Sequence, residues 1–96
     1  MKFIENYKSD SFDLRKNSSR IKYIIIHYTA MQSYHKAIEH LCNKNNKVSS
    51  HFLLSKSGEV FNLVDIEFRA WHAGKSLWKK ETDINSCSIG IEVDNS

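Results

Sequence analysis

The sequence predicts a mixed α/β fold, in which a central β-sheet is covered by a helix. Three observations predict it. Residues 21–28 are β-branched and aromatic, apolar residues recur at helical spacing over 34–42, and two strand-like runs flank a glycine-containing connection at 56–58. A chain of 96 residues is long enough for one small domain with a single core.

Residues 1–20 are expected to form an irregular N-terminal arm. They are mostly polar and show neither helical nor strand periodicity. The apolar side chains that can anchor this arm are Phe3, Ile4, Phe12 and Leu14.

The first predicted strand covers residues 21–28. A continuous apolar run bounded by polar residues favours a central strand that is buried on both faces. The run ends in His27-Tyr28-Thr29-Ala30, which places His27 at the end of a rigid element.

A helix, a hairpin and a last strand follow. Ser33 can cap a helix that ends at the polar residues 43–47. The short Lys56-Ser57-Gly58 connection between two strand-like runs predicts a β-hairpin. Residues 65–83 are aperiodic but contain both tryptophans, which indicates a structured loop, and residues 87–93 form a short last strand.

Composition and charge exclude several classes of protein. A chain that is 41% hydrophobic and 11% aromatic is too rich in core residues to be disordered. No apolar run approaches the roughly 20 residues of a membrane helix, and the N-terminus lacks the apolar core of a secretory signal. The net charge of +3 comes from scattered bases, so no nucleic-acid partner is expected, and the lack of a membrane-length apolar run leaves no membrane partner expected. Cys42 and Cys87 fit no metal or redox spacing and are expected to be reduced thiols, with a single disulfide left open.

His27 and Glu92 are the first candidates for chemistry. A neutral imidazole on a strand end can bind zinc, although a histidine beside an apolar run is more often a hydrogen-bonded edge residue. Glu92 follows Ile89-Gly90-Ile91. A buried carboxylate is costly unless it is paired, protonated or used, and burial raises its pKa towards that of a general base. The alternative for Glu92 is a strand-edge residue that faces water.

The string Arg69-Ala70-Trp71-His72-Ala73-Gly74 is a candidate binding loop. Trp71 can stack on a sugar ring, and His72 can donate a hydrogen bond. The alternative is a loop that is pinned to the core by its tryptophan. His51, in the predicted hairpin, has the same two interpretations.

Taken together, five motifs follow one another in a specific order. They are Ile24-Ile25-Ile26-His27-Tyr28-Thr29-Ala30, Val48-Ser49-Ser50-His51-Phe52-Leu53-Leu54, Ser57-Gly58-Glu59-Val60, Arg69-Ala70-Trp71-His72-Ala73-Gly74 and Asn85-Ser86-Cys87-Ser88-Ile89-Gly90-Ile91-Glu92. The series resembles the zinc-dependent N-acetylmuramoyl-L-alanine amidases of the type 2 amidase family, which is related to peptidoglycan recognition proteins and phage amidase lysozymes. The resemblance runs from about residue 21 to residue 95.

The resemblance implies hydrolysis of the amide between N-acetylmuramic acid, or its anhydro form, and the stem-peptide L-alanine of peptidoglycan or muropeptides. It implies a Zn²⁺ cofactor, with His27 as a metal ligand and Glu92 as the base for the attacking water. It also implies a substrate groove, for which the predicted binding residues are His51, Trp71, His72, Ala73 and Gly74.

The chain also departs from the family pattern. The family's second and third zinc ligands come from a segment downstream of the glutamate strand, and no counterpart occurs before Ser96. Residues 21–96 are therefore interpreted as the N-terminal portion of an amidase-like domain that lacks its C-terminal part. The remaining ligands are expected from outside this segment, and a sheet without its downstream helix is expected to expose an apolar face that needs a partner.

Several interpretations of this departure stay open. The favoured one is the N-terminal portion of a longer amidase; the others are a truncated product without chemistry and a substitute site in which His27 recruits His72 or His51. Activity of the 96-residue chain alone is in question. A different class is a non-catalytic peptidoglycan-binding module, and a further one is a fragment completed by a second polypeptide. The expected location is the cytoplasm, or the periplasm or exterior if a signal peptide has been removed.

Overall fold

The computed structural model describes residues 2–16, 20–29, 31–73 and 83–95. In chain order, the elements are β1 (Lys2–Ile4), β2 (Phe12–Leu14), β3 (Tyr23–Tyr28), α1 (Tyr34–Cys42), β4 (Phe52–Leu54), β5 (Glu59–Asn62), β6 (Phe68–Ala70) and β7 (Ser88–Val93). Short 3₁₀ turns cover Lys44–Asn46 and Ile84–Cys87. The mixed α/β prediction is confirmed.

Five strands form the main sheet, in the order β1-β5-β4-β7-β3. β7 pairs in parallel with both β3 and β4, and β1 pairs in parallel with β5. β4 and β5 are antiparallel, as a hairpin requires. β2 and β6 form a separate antiparallel pair.

The helix covers one face of this sheet. Ser33 caps it by accepting a hydrogen bond from the Lys36 backbone N–H at 3.3 Å, as predicted. The apolar stripe of the helix packs on the centre of the sheet, and this core comprises Ala37, Ile38, Leu41, Leu53, Phe61 and Leu63. Full burial of each large aliphatic side chain is worth about 1.5–3 kcal/mol, so this contact fixes α1 on the sheet.

The hairpin prediction is confirmed. Gly58 has φ +88°, in the left-handed region that other residues enter only with strain. Ser55 N–H donates to the Glu59 carbonyl at 2.9 Å and closes the turn.

The prediction that β3 is central and buried on both faces is wrong. β3 lies at one edge of the sheet that the described residues form, and Ile24, Ile26 and Tyr28 are 64, 56 and 66% exposed. Alternate residues of a strand face opposite sides, and these three side chains lie on the side of β3 away from α1. The expectation of an exposed apolar face is therefore confirmed for the part of the chain that the structure describes.

The described residues of the predicted N-terminal arm, 2–16 and 20, include two short strands. The segment contributes β1 to the edge of the main sheet and β2 to the two-stranded ribbon. Both strands are three residues long, and their partners lie more than 50 residues away in sequence, so local periodicity could not show them.

Three remaining expectations concern thiols, the loop and membranes. Among the described residues, neither Cys42 nor Cys87 is in a disulfide, which agrees with the expected thiols. The predicted loop over 65–83 contains β6, while Trp78 lies outside the described residues. Among the helices that the structure describes, none is long and apolar enough to cross a membrane.

Candidate active site

His27 and Glu92 meet side by side on adjacent parallel strands. They are register partners near the carboxyl ends of β3 and β7, so their side chains point to the same face of the sheet. This is the face that α1 covers, because Leu53, the register partner of Glu92 on β4, packs in the helix core. The carboxyl ends of parallel strands are where open α/β sheets bind ligands.

His72 joins this pair from the loop after β6. Its Nδ1 lies 3.0 Å from Nε2 of His27, and its Nε2 lies 2.8 Å from Oγ of Ser88. The two imidazole rings meet edge to face, with centroids 5.3 Å apart. The predicted groove residue His72 is thus buried, at 8% exposure, and bonded within the protein.

Gly90 makes room for the His72 ring. A Cβ atom added at Gly90 would lie 2.3 Å from Cγ of His72 and 2.8 Å from its Cβ. The sequence-based expectation of a close approach at Gly90 is met by this imidazole. Burial is the main cause that lowers the pKa of His72 to about 3, and His27, His51 and Arg15 add to it, so the ring is neutral at physiological pH.

On this face of the sheet, Glu92 has a carboxylate oxygen whose hydrogen-bonding capacity the described residues leave unsatisfied. Its Oε2 is buried and has no hydrogen-bond partner among the described residues. Burial raises the pKa of Glu92, while His27 and His40 partly oppose the rise. The carboxyl lines a small pocket of about 30 Å³, beside Thr29 and Met31, that is large enough to admit a water molecule.

His51 is enclosed in the protein. It is 0% exposed, its Nδ1 accepts from Gly90 N–H at 3.0 Å, and its Nε2 lies 2.8 Å from the Phe68 carbonyl. Since a carbonyl only accepts, Nε2 carries the ring proton. Burial lowers the pKa of His51. This position gives no support to the predicted substrate contact. His51 instead links the start of β4 to β7 through its hydrogen bond with Gly90.

The loop after β6 is pinned at three points. Trp71 N–H donates to Oγ of Ser49 at 2.9 Å, and its indole N–H donates to Asp13 at 3.2 Å. The Asn85 amide pairs with Ala73 in both directions, at 3.0 and 2.9 Å. Trp71 and Ala73 remain half-buried, so both keep some exposed surface. Gly74, the last predicted groove residue, lies outside the described residues.

Two arginines hold this region: Arg69, which belongs to the candidate binding loop, and Arg15, and the sequence indicated a structural role for neither. Arg69 makes a bidentate ion pair with Asp13, at 2.6 Å for each bond, and contacts Asp83 at 3.0 Å. The Arg69 guanidinium holds the pKa of Asp13 below its ordinary value. Arg15 donates to several backbone carbonyls: those of Ile66, Asn85, Ser86 and Ser88.

The described residues do not complete a metal site on their own. Within residues 2–16, 20–29, 31–73 and 83–95, no three His, Cys, Asp or Glu side chains come together to hold an ion. A larger pocket, of about 440 Å³, lies at the opposite edge of the sheet between β1 and α1. It is lined by none of the predicted site residues, so it is a separate surface feature.

These features define an α/β domain with a histidine–glutamate pair at one end of its sheet. Residues 17–96 match the protein family described as N-acetylmuramoyl-L-alanine amidase. The chain therefore belongs to the N-acetylmuramoyl-L-alanine amidase family.

Individual relatives agree with this assignment. The N-acetylmuramoyl-L-alanine amidase AmiD of Escherichia coli is 39% identical over 83 residues, which cover 79% of this chain and 29% of AmiD. The crystal structure of an AmpD derivative shares the fold, with TM-score 0.80 and 22% identity over 99% of this chain and 61% of that one. E. coli AmiD, in complex with the substrate anhydro-N-acetylmuramic acid-L-Ala-D-γ-Glu-L-Lys, superposes with TM-score 0.68 and 36% identity over 82% of this chain and 33% of that one. The chain thus spans less than a third of the length of the AmiD relative.

Proposed function

We propose that this protein takes part in zinc-dependent hydrolysis of the amide between N-acetylmuramic acid, or its anhydro form, and the stem-peptide L-alanine. The observation that carries the proposal is the pairing of His27 with Glu92 on adjacent strands, where Glu92 keeps a buried carboxylate oxygen that has no hydrogen-bond partner in the described part of the chain. An orphaned carboxylate is costly in a purely structural role, and a reaction that needs a base accounts for it.

The residues present fit a zinc ion as part of its ligand set. His27 offers an imidazole at the rigid end of β3, next to the orphaned carboxylate. Imidazole is a preferred zinc ligand, and three protein ligands with an open position are usual for catalysis. When bound, zinc supplies Lewis-acid polarisation of the amide carbonyl and a lowered pKa for water. His27 would hold the ion, and we propose that the other ligands come from a complementing segment or chain.

Glu92 moves the proton in this scheme. Its carboxylate accepts a proton from the attacking water as the water oxygen bonds to the lactyl carbonyl carbon. The amide C–N bond then breaks, and Glu92 returns a proton to the leaving amine of L-alanine. A raised pKa suits both steps, because a base of very low pKa would hold the proton too weakly. A positioned general base contributes about 10²–10⁴-fold to the rate.

The loop after β6 forms one wall of the proposed groove. Trp71 and Ala73 are half-buried and fixed by Ser49 and Asn85, so they present a rigid edge beside His72. We propose that a sugar or peptide of the muropeptide packs on this edge and that Gly74 continues it. The support for a muropeptide is the family match together with the substrate named in the AmiD complex.

The exposed apolar face provides a surface for the complementing segment. Ile24, Ile26 and Tyr28 share a face of β3, and their register partners on β7 continue it with half-buried Ile89, Ile91 and Val93. A contiguous apolar surface of this kind marks an interaction site.

The test is a hydrolysis assay on the protein isolated under native conditions from the cell that makes it. The protein is incubated with zinc and an anhydromuropeptide, and free stem peptide is detected by mass spectrometry. Zinc-dependent release of peptide, abolished by a chelator, is expected. Absence of release from the zinc-loaded protein would overturn the proposed hydrolysis.

A second candidate is a peptidoglycan-binding module without chemistry. It is favoured by the lack of a three-ligand metal group within the described residues. Calorimetry with the same muropeptide separates the two functions. Binding that a chelator leaves unchanged, without peptide release, indicates the module.

A further inference from the structure

The Ser88 hydroxyl sets the direction of a hydrogen-bond chain. Ser88 is fully buried, and its Oγ donates to the Ile84 carbonyl at 2.7 Å. A serine hydroxyl has one proton, so Oγ can only accept from its second neighbour. That neighbour is Nε2 of His72 at 2.8 Å, which therefore carries a proton.

The orientation of the His72–Ser88 hydrogen bond determines the orientation of the hydrogen bond between His72 and His27. A neutral imidazole with a proton on Nε2 has its lone pair on Nδ1. Nδ1 of His72 lies 3.0 Å from Nε2 of His27, so the proton between the rings belongs to His27. With Nε2 of His27 protonated, the lone pair of His27 is on Nδ1.

We infer that His72 and Ser88 are positioning residues that hold His27 in the tautomer with a free Nδ1 lone pair for the metal. The inference rests on the proposed function for the identity of His27 as a ligand. Metal-bound histidines usually donate their second ring N–H to a partner that fixes the tautomer and the ring plane, and loss of that partner typically costs 10–100-fold in metal affinity. Here the partner is another imidazole.

Two features of the fold hold the His72 ring in this position. Gly90 leaves the space that the His72 ring occupies above β7. The loop that carries His72 is fixed on both sides of it, through Trp71 to Ser49 and through Ala73 to Asn85. The ring is thus placed by the backbone, and no room remains for a substrate between His72 and Ser88.

The test reads the histidine tautomers directly. Long-range ¹H–¹⁵N spectra of the metal-free protein with ¹⁵N-labelled histidine are recorded well above the ordinary histidine pKa of about 6.5. His27 and His72 are expected in the Nε2–H form. Ser88→Ala is expected to give mixed tautomers at both rings. The matched control is Ser50→Ala, since Ser50 is an equally buried serine whose hydroxyl donates to the Phe52 carbonyl, and it is expected to leave both rings unchanged.

Zinc affinity, measured by competition with a chelating indicator, is the second readout. Ser88→Ala and His72→Phe are expected to weaken zinc binding by about 10–100-fold. Nε2–H of His27 is expected to persist with zinc bound. A proton on Nδ1 of His27, unchanged tautomers in Ser88→Ala, or zinc seated on Nε2 between the two rings would each overturn the inference. Peptide release plays no part in these readouts, so failure of the proposed hydrolysis and failure of the positioning role give different results.

Discussion

Gly90→Ala tests the packing of the site most severely. The new methyl carbon would lie 2.3 Å from Cγ and 2.5 Å from Cδ2 of His72, whereas ordinary contact begins at 3.4 Å. The ring must withdraw by 3.4 − 2.3 Å, about 1.1 Å. Such a shift breaks the hydrogen bond that His72 accepts from His27 and the one that it donates to Ser88, which are now 3.0 and 2.8 Å long.

The expected cost follows from these losses. Loss of two buried hydrogen bonds costs about 1 kcal/mol each, and crowding costs about 1–3 kcal/mol. Replacing a strand glycine returns about 0.5–1 kcal/mol, so the net loss of unfolding free energy is roughly 2–4.5 kcal/mol. The assay is urea unfolding followed by tryptophan fluorescence. In a His72→Ala background the two ring contacts are removed and the 2.8 Å contact with Cβ stays, so the same substitution is expected to cost at least about 1 kcal/mol less.

Gly58→Ala is the control glycine. No atom of the described residues lies within 4 Å of a Cβ added at Gly58, but the φ of +88° is strained for alanine. The variant is therefore expected to lose about 1–2 kcal/mol of unfolding free energy without disturbing the histidines. A Gly90→Ala variant within about 0.5 kcal/mol of wild type, the range of an ordinary surface change, would refute the packing described for His72.

Three further predictions concern the arm and the open face. Arg15→Ala removes the donor to several backbone carbonyls and is expected to lower the unfolding free energy by about 2–4 kcal/mol, while the exposed Arg20→Ala changes it by less than about 0.5 kcal/mol in the same urea assay. Asp13 has a lowered pKa in the folded state, so its ion pair stabilises above the ordinary value of 3.8 and is lost as the pH falls through the folded pKa. The stability difference between wild type and Asp13→Asn, measured by urea unfolding from pH 6 to 2, should therefore shrink on acidification, and a constant difference would contradict the pairing. Ile26→Lys, at a side chain 56% exposed, is expected to change the stability of the isolated chain by less than about 0.5 kcal/mol and to abolish co-purification of a complementing segment; retained co-purification would remove this face from that role.

Local signals in the sequence predicted the elements that depend on local physics. The Ser33 cap, the apolar stripe of α1 and the glycine turn at Gly58 each act over a few residues, and all three are observed. The strands β1 and β2 escaped prediction because three residues carry too little periodicity, and their partners come from distant parts of the chain.

The burial of β3 could not be predicted from its composition. Ile24 and Ile26 are apolar whether or not another layer covers them, so the run alone could not show an open face.

The candidate site was predicted in part. His27 and Glu92 stood out because a polar group ending an apolar strand is costly, and the structure brings them together. The contacts of His72 with His27 and Ser88 join residues 45 and 16 positions apart, and no local pattern reports them. His51 and His72 both looked like groove residues, yet each is buried and bonded within the protein.

The most direct test of the central proposal is Glu92→Gln in the natively isolated, zinc-loaded protein, with Glu59→Gln as the control. Glu59 is a second strand glutamate, bonded to Ser55 and Ser57 in the hairpin and absent from the site pocket. Glu92→Gln is expected to retain zinc by equilibrium dialysis and to lose release of stem peptide by about 10²-fold or more, while Glu59→Gln keeps both. Undiminished peptide release by Glu92→Gln would contradict the role of Glu92 as the base.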